Sequence, residues 1–305
     1  MLSRRNVRIK VMQVLYAVQK QEDQSYRARK AMYDKLVDRS FQLYLQNLLI
    51  IQRVAAYAKQ DQARRMNKHL RSEQDKTFTP KLAHNPVMSS LINNPDLTLA
   101  YDRKQIGKTI DADLIGKLYR DFLKTEVYQE YLANPDTTIQ EDRKVTLALF
   151  KWLQGQERFL TMVEDHFPLW GENKSLIIGA IKKTIKALPA EQDFFNAYQQ
   201  PSATVTEFGN GLLKFTTDAD AQLLEKIKPV LENWDVERVA LIDMILIKMA
   251  LAEFLHFESI PATVSLNEYV EISKLYSTDK SREFINGVLD KLLKQLQEEG
   301  LIPKA

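Results

Sequence analysis

The sequence predicts an all-α fold. Three observations carry that expectation: only nine glycines and ten prolines in 305 residues, apolar residues recurring at helical spacing along most of the chain, and 45% hydrophobic residues, enough to build a core. The formal charge of +3 is small for this length, so a surface for a polyanion must come from local clustering. The absence of cysteine excludes disulfides, thiolate metal sites and a cysteine nucleophile, and fits a reducing, cytoplasmic setting.

The first helix is expected over 5–20, where Val7, Val11, Val14 and Val18 draw one apolar stripe. Arg8, Met12 and Tyr16, spaced i, i+4, i+8, fall with Arg5 on a second face of the same helix. Its charged start resembles a signal peptide's, but "VMQVLYAVQKQ" runs on to Gln19 and Lys20 without a small-residue cleavage site, so no export signal is read.

From 28 to 70 helical periodicity continues through Leu36, Phe41, Leu45, Leu48, Ile51 and Val54, giving one long helix or two abutting ones. That segment ends basic, with Lys59, Arg64, Arg65, Lys68 and Arg71 against Asp61; the run either faces water or extends a track for RNA. Pro80, Pro86 and Pro95 among Asn, Ser and Thr make 77–102 a loop with one short helix at 87–93. Helices resume at 111–132, 140–166 and 174–188, separated by "NPDT" and "FPLWGEN".

"TVTEFGNGLLKFTT", 204–217, reads as an interrupted helix or as a hairpin closed by Gly-Asn-Gly, with helix preferred. Further helices follow at 218–231 and at 235–256, where Asp235 can cap the free amides. Ser265 with Glu268 makes a capping box for "LNEYVEISKLY", and a last helix over 281–297 buries Ile285, Val288, Leu292 and Leu296. "VALIDMILIKMALAEFL", 239–255, has fourteen apolar residues in seventeen, but Asp243, Lys248 and Glu253 interrupt it. It is a buried helix and not a membrane span.

The usual catalytic signatures are missing. There is no phosphate-binding G-x-x-x-x-G-K-[ST], no G-x-G-x-x-G after a strand and no G-x-S-x-G elbow. His69, His84, His166 and His256 lie far apart, so no metal, no cofactor and no enzyme activity are expected.

Near the C-terminus "NWDVERVALIDMILIKMALAEFL", "IPATVSLNEYVEISKLYS" and "SREFINGVLDKLL" follow one another, and the opening "RRNVRIKVMQVLY" precedes them. Together they resemble the NusB family of bacterial transcription antitermination factors, over about 1–20 and 218–297. The middle carries no family motif, and the chain is about twice the usual family length. The resemblance implies a NusB-like helical bundle with an enlarged helical middle region. As a domain plan it implies a single domain over 1–305, with a family-like core at 1–58 and 205–297 and an expansion over about 60–200.

For function the resemblance implies a non-catalytic, RNA-binding factor that pairs with the ribosomal protein NusE. The pair would hold single-stranded boxA RNA of ribosomal RNA leaders and act on the RNA polymerase elongation complex indirectly, with no membrane contact. Single-stranded RNA needs cations for phosphates and exposed flat groups for unstacked bases. Arg4, Arg5 and Arg8 match the family's arginine-rich opening, with Lys10 a local addition. Tyr16 matches its Leu-Tyr tyrosine; the residues alone allow a core-rim aromatic there instead.

Phe284 matches the Phe before the family's Asn-Gly and serves either as a base platform or as core rim. Lys280, Ser281 and Arg282 in "STDKSR" are either phosphate donors or part of a solvated charged loop, while Asn286 and Gly287 are expected to set helix packing. Glu253 matches a family acid and is expected to meet a cation of NusE, an arginine of its own chain being the alternative. Lys248 stands where the family has arginine, and Asn267 with Glu268 matches an Asn-Glu pair. A helical adaptor that keeps the fold without specific RNA binding is the competing function. A domain preceding an RNA methyltransferase is disfavoured by the missing cofactor strand and catalytic cysteine.

Overall fold

A computed structural model describes residues 2–19, 25–190, 192–199, 202–231, 236–278 and 280–303, with the side chain of Glu237 excepted. Among them there are helices and turns and no strand, as an all-α chain requires. In chain order the helices are α1 (Arg4–Val18), α2 (Tyr26–Met66), α3 (Glu73–Thr77), α4 (Lys81–His84), α5 (Pro86–Ile92) and α6 (Pro95–Arg103). Then come α7 (Ala112–Phe122), α8 (Glu126–Ala133), α9 (Ile139–Leu153), α10 (Glu157–Glu164), α11 (Trp170–Ala187) and α12 (Asn196–Gln199). A π-helical turn (Thr204–Gly209) leads into α13 (Asn210–Asp218), followed by α14 (Asp220–Ile227), α15 (Leu241–His256), α16 (Ala262–Tyr276) and α17 (Ser281–Glu298).

The chain divides into two compact units: a terminal unit made of 2–37 and 201–305, and a middle unit of 38–200. In the terminal unit α1 begins at Ser3, whose hydroxyl accepts from the Asn6 amide while the Asn6 side chain caps back onto Ser3. Its stripe of Val7, Val11, Val14 and Val18 is fully buried. It packs on the π-helical turn, α13, α15 and α16, and α15, α16 and α17 pack on one another through Leu246, Met249, Ile272, Ile285 and Leu289.

The ambiguous 204–217 stretch is helical throughout, as preferred. Gly209 there could not be another residue without rearrangement, because a Cβ would meet the Tyr33 hydroxyl at 2.0 Å and Val7 at 2.8 Å. Its neighbour Val205 offers the carbonyl that the Tyr33 hydroxyl reaches at 3.1 Å. The glycine lets α2's first turns and α1 close on the same segment.

The middle unit has its own core, built on α2 residues Leu45, Leu48, Ile51 and Val54 with Leu149 and Phe150 of α9 and Ile177 and Ile181 of α11. The 28–70 periodicity belongs to one 41-residue helix, not to two. The expected loop over 77–102 is instead largely helical. Pro86 and Pro95 stand at the first positions of α5 and α6, where the missing amide costs nothing, and Asn85 and Asn94 cap them through the Met88 and Leu97 amides at 2.8 and 2.9 Å.

Two caps expected from the sequence differ. α16 starts at Ala262 after Pro261, so Ser265 and Glu268 lie inside the helix and form no capping box. Asp235, expected to cap the 235–256 helix, lies outside the described residues, and α15 itself begins at Leu241. Among the described residues no helix is long and apolar enough to cross a membrane.

Candidate nucleic-acid interface

The polar centre of the terminal unit is a carboxylate on an apolar helix. Glu253 of α15 is fully buried, and Arg8 of α1, 2% exposed, grips it with Nε at 2.8 Å and Nη2 at 2.5 Å. Ser265 and Tyr269 of α16 also donate hydroxyl hydrogen bonds to it, the tyrosine at 2.9 Å. The Arg8 guanidinium lies over the rings of Phe208 and Tyr269, 5.1 and 5.6 Å from their centroids. Burial is the largest influence on Arg8 and opposes its charge, but the Glu253 hydrogen bonds together with the charges of Tyr269, Glu253 and Glu268 leave its pKa raised. Burial and the neighbouring Glu253 push the Tyr269 hydroxyl well above its ordinary range.

This geometry corrects three expectations. Arg8 is not a phosphate contact, because its guanidinium is enclosed, gripping Glu253 and standing 3.7 Å from Glu268. Glu253 is not a surface for NusE, because it is fully buried beneath Arg8, Ser265 and Tyr269, and the cation it meets is the alternative, an arginine of its own chain. Ser281 is also buried and shares its hydroxyl with Ser277 and Thr278, which pins the start of α17 and leaves it unable to reach a phosphate. Lys10 is buried as well.

The remaining predicted residues line the surface. Arg4 is exposed, with its guanidinium 6.0 Å from the Phe208 ring. Arg5, 47% exposed, holds Glu268 through both arms at 2.7 Å. That contact raises the Arg5 pKa and lowers that of Glu268. Tyr16 is 41% exposed near the other end of α1. Eleven positions separate Arg5 from Tyr16, about three turns, so they lie on one line about 16 Å long. Met12 sits between them on that line, and it is buried. The predicted face is therefore open at both ends and covered in the middle.

Lys280 and Arg282 are exposed at the start of α17, and Phe284 is half-buried against the core. Asp279 of the same segment lies outside the described residues. The Glu271 carboxyl of α16 is held below its usual range first by Lys274, then by Arg5 and Arg282, so the cations of α1 and α17 act on one carboxylate. Glu268 and Glu271 are the residues the sequence analysis missed as neighbours of the arginines. Their spacing on α16, one turn apart, was the available signal.

Asn286 and Gly287 are exposed, and a Cβ on Gly287 would meet nothing, so the expected close approach is absent there. Lys248 is paired with Asp220 at 2.6 Å. Among the described residues no cluster of His, Cys, Asp and Glu could hold a metal ion.

The profile of the NusB family matches residues 178–294. That stretch takes in the second half of α11 and most of the terminal unit; α1 lies outside it. The chain is 36% identical over 96 residues to the transcription antitermination protein NusB of Chloroherpeton thalassium, covering 32% of this chain and 44% of that protein. It is 39% identical over 98 residues to the NusB of Salinibacter ruber, 32% of this chain and 61% of that protein. With the NusB of Natranaerobius thermophilus it shares 35% identity over 114 residues, 37% of this chain and 76% of that protein. The matches thus span about half of the first two relatives. No solved structure matches the chain significantly.

Proposed function

From the premise that this chain belongs to the NusB family, we propose that it is a transcription antitermination factor which holds single-stranded boxA-type RNA of ribosomal RNA leaders together with NusE. It acts on the elongating RNA polymerase through that assembly and carries out no chemistry of its own. In this reading the terminal unit is the family-like part of the protein, and the middle unit is the expansion.

One observation carries the reading: a half-open guanidinium, Arg5, stands in line with an exposed ring, Tyr16, along a single helix. Arg4, Lys280 and Arg282 add exposed cations, and Phe284 a second ring at the start of α17. Arg5 keeps 47% of its side chain open while it holds Glu268, so a phosphate can compete with that carboxylate for the guanidinium. Arg8 and Glu253 serve by holding α1, α15 and α16 in register beneath this surface.

The test is a titration of labelled boxA-type RNA with and without NusE at two salt concentrations. Affinity should rise with NusE and fall with salt, by about 0.7 in the log-log slope for each phosphate held. Tyr16→Ala should lower affinity by about 1–3 kcal/mol without changing helical content, the cost of losing one stacked base. Salt-insensitive binding that ignores NusE would leave the protein as a helical adaptor.

A further inference from the structure

The long basic run closing α2 is divided by its acids. Arg65 donates to Asp61 at 2.9 Å, and Lys68 reaches Asp75 at 2.9 Å, so two of its cations are neutralised inside the fold. Arg64 is exposed and, among the described residues, has no ion-pair partner. Its guanidinium lies 5.4 Å from the centre of the Tyr57 ring, one face of α2 below it.

From α7 a second guanidinium arrives at the same ring. Arg120 Nη1 donates to the Tyr57 hydroxyl at 3.2 Å, and Arg120 is likewise exposed without an ion pair among the described residues. The approach is set by Gly116, one turn earlier, where a Cβ would stand 2.9 Å from that hydroxyl. The nearby acid of α7, Asp121, is taken by Lys124 and Arg158. Lys59 and Lys117, exposed on the same two helices and also without ion pairs among the described residues, extend the patch.

We propose that this patch on the middle unit, with Arg64 and Arg120 gathered on Tyr57, is a second phosphate-binding contact for single-stranded RNA. The inference rests on the RNA-binding reading above and adds a site on the expansion. Two forked guanidiniums fixed against one phenol lose little freedom on taking phosphate oxygens, and their geometry suits bidentate contact. Charge agrees: the middle unit carries 23 Lys and Arg against 20 Asp and Glu, while the terminal unit balances 20 with 20, so all of the formal +3 lies here.

The experiment uses the full chain and two RNAs, one limited to the boxA-type element and one extending well beyond it. Arg64→Gln with Arg120→Gln should weaken the longer RNA and make its log-log salt slope shallower by about 1.4, about 0.7 for each of two phosphates. The short RNA should bind as before, and the thermal melt should not move. Lys59→Gln with Lys117→Gln should act in the same direction, which keeps the test open if the arginine pair disturbs packing on Tyr57. If the intact protein binds neither RNA, the RNA reading and this inference both fall. If it binds both and the two variants leave the longer RNA's affinity and slope unchanged, only the inference is overturned.

Discussion

Glu253 accepts from a guanidinium, a serine and a tyrosine, and each of those donors is itself buried. A buried carboxylate is tolerable on those terms and costly on any other. Glu253→Gln should destabilise the protein by about 3 kcal/mol, because Arg8 would keep its charge in the interior with only the more distant Glu268, 3.7 Å away, as counter-charge. A urea titration reads this, and a shift below about 1 kcal/mol would mean that Arg8 finds water or another partner. Both residues were visible in the sequence, and their pairing was not. The signal was there in part: Arg8 is followed at i+3, i+4 and i+7 by Val11, Met12 and Leu15, all buried, so helical phase alone puts Arg8 among the core positions. What no local pattern could supply was the contact across 245 positions to Glu253.

At the scale of elements, helix existence was legible wherever apolar spacing was strong, as in α1, α2, α9 and α17, since burial of one face decides those segments. The 77–102 stretch was misread because prolines were counted as breakers when two of them follow asparagine caps and open helices. The end of α2 shows what short polar segments add. Asp75 caps α3 with Ser72 and ties Lys68 and Arg65 to it, and the Lys68 contact first, then the Ser72 amide, holds its carboxyl at about 2. The depressed value fixes the sign. Stability from this clip is full above the unfolded value near 3.8 and is lost as the pH falls toward about 2. Asp75→Asn should therefore lower stability at neutral pH and flatten its fall between those limits. A carboxyl resonance of Asp75 that titrates near 4 would refute the clip.

For the whole molecule the decisive fact is that the buried apolar residues form two separate clusters, one within the middle unit and one within the terminal unit. The sequence hinted at this only through family motifs gathered at the two ends; it could not show that the intervening residues close a core of their own, because that depends on which helices meet. Two cores under one chain need not melt together. Leu149 is fully buried in the middle cluster and Leu246 fully buried in the terminal one. Truncating either to alanine should cost about 2–5 kcal/mol through lost contacts and the cavity left behind. Calorimetry should then resolve two transitions, with Leu149→Ala lowering one and Leu246→Ala lowering the other. The RNA-binding surface proposed for α1 and α17 rests on the terminal cluster, so Leu149→Ala should leave boxA affinity intact at temperatures between the two melts. A single transition moved equally by both substitutions would show that the two cores unfold as a single cooperative body.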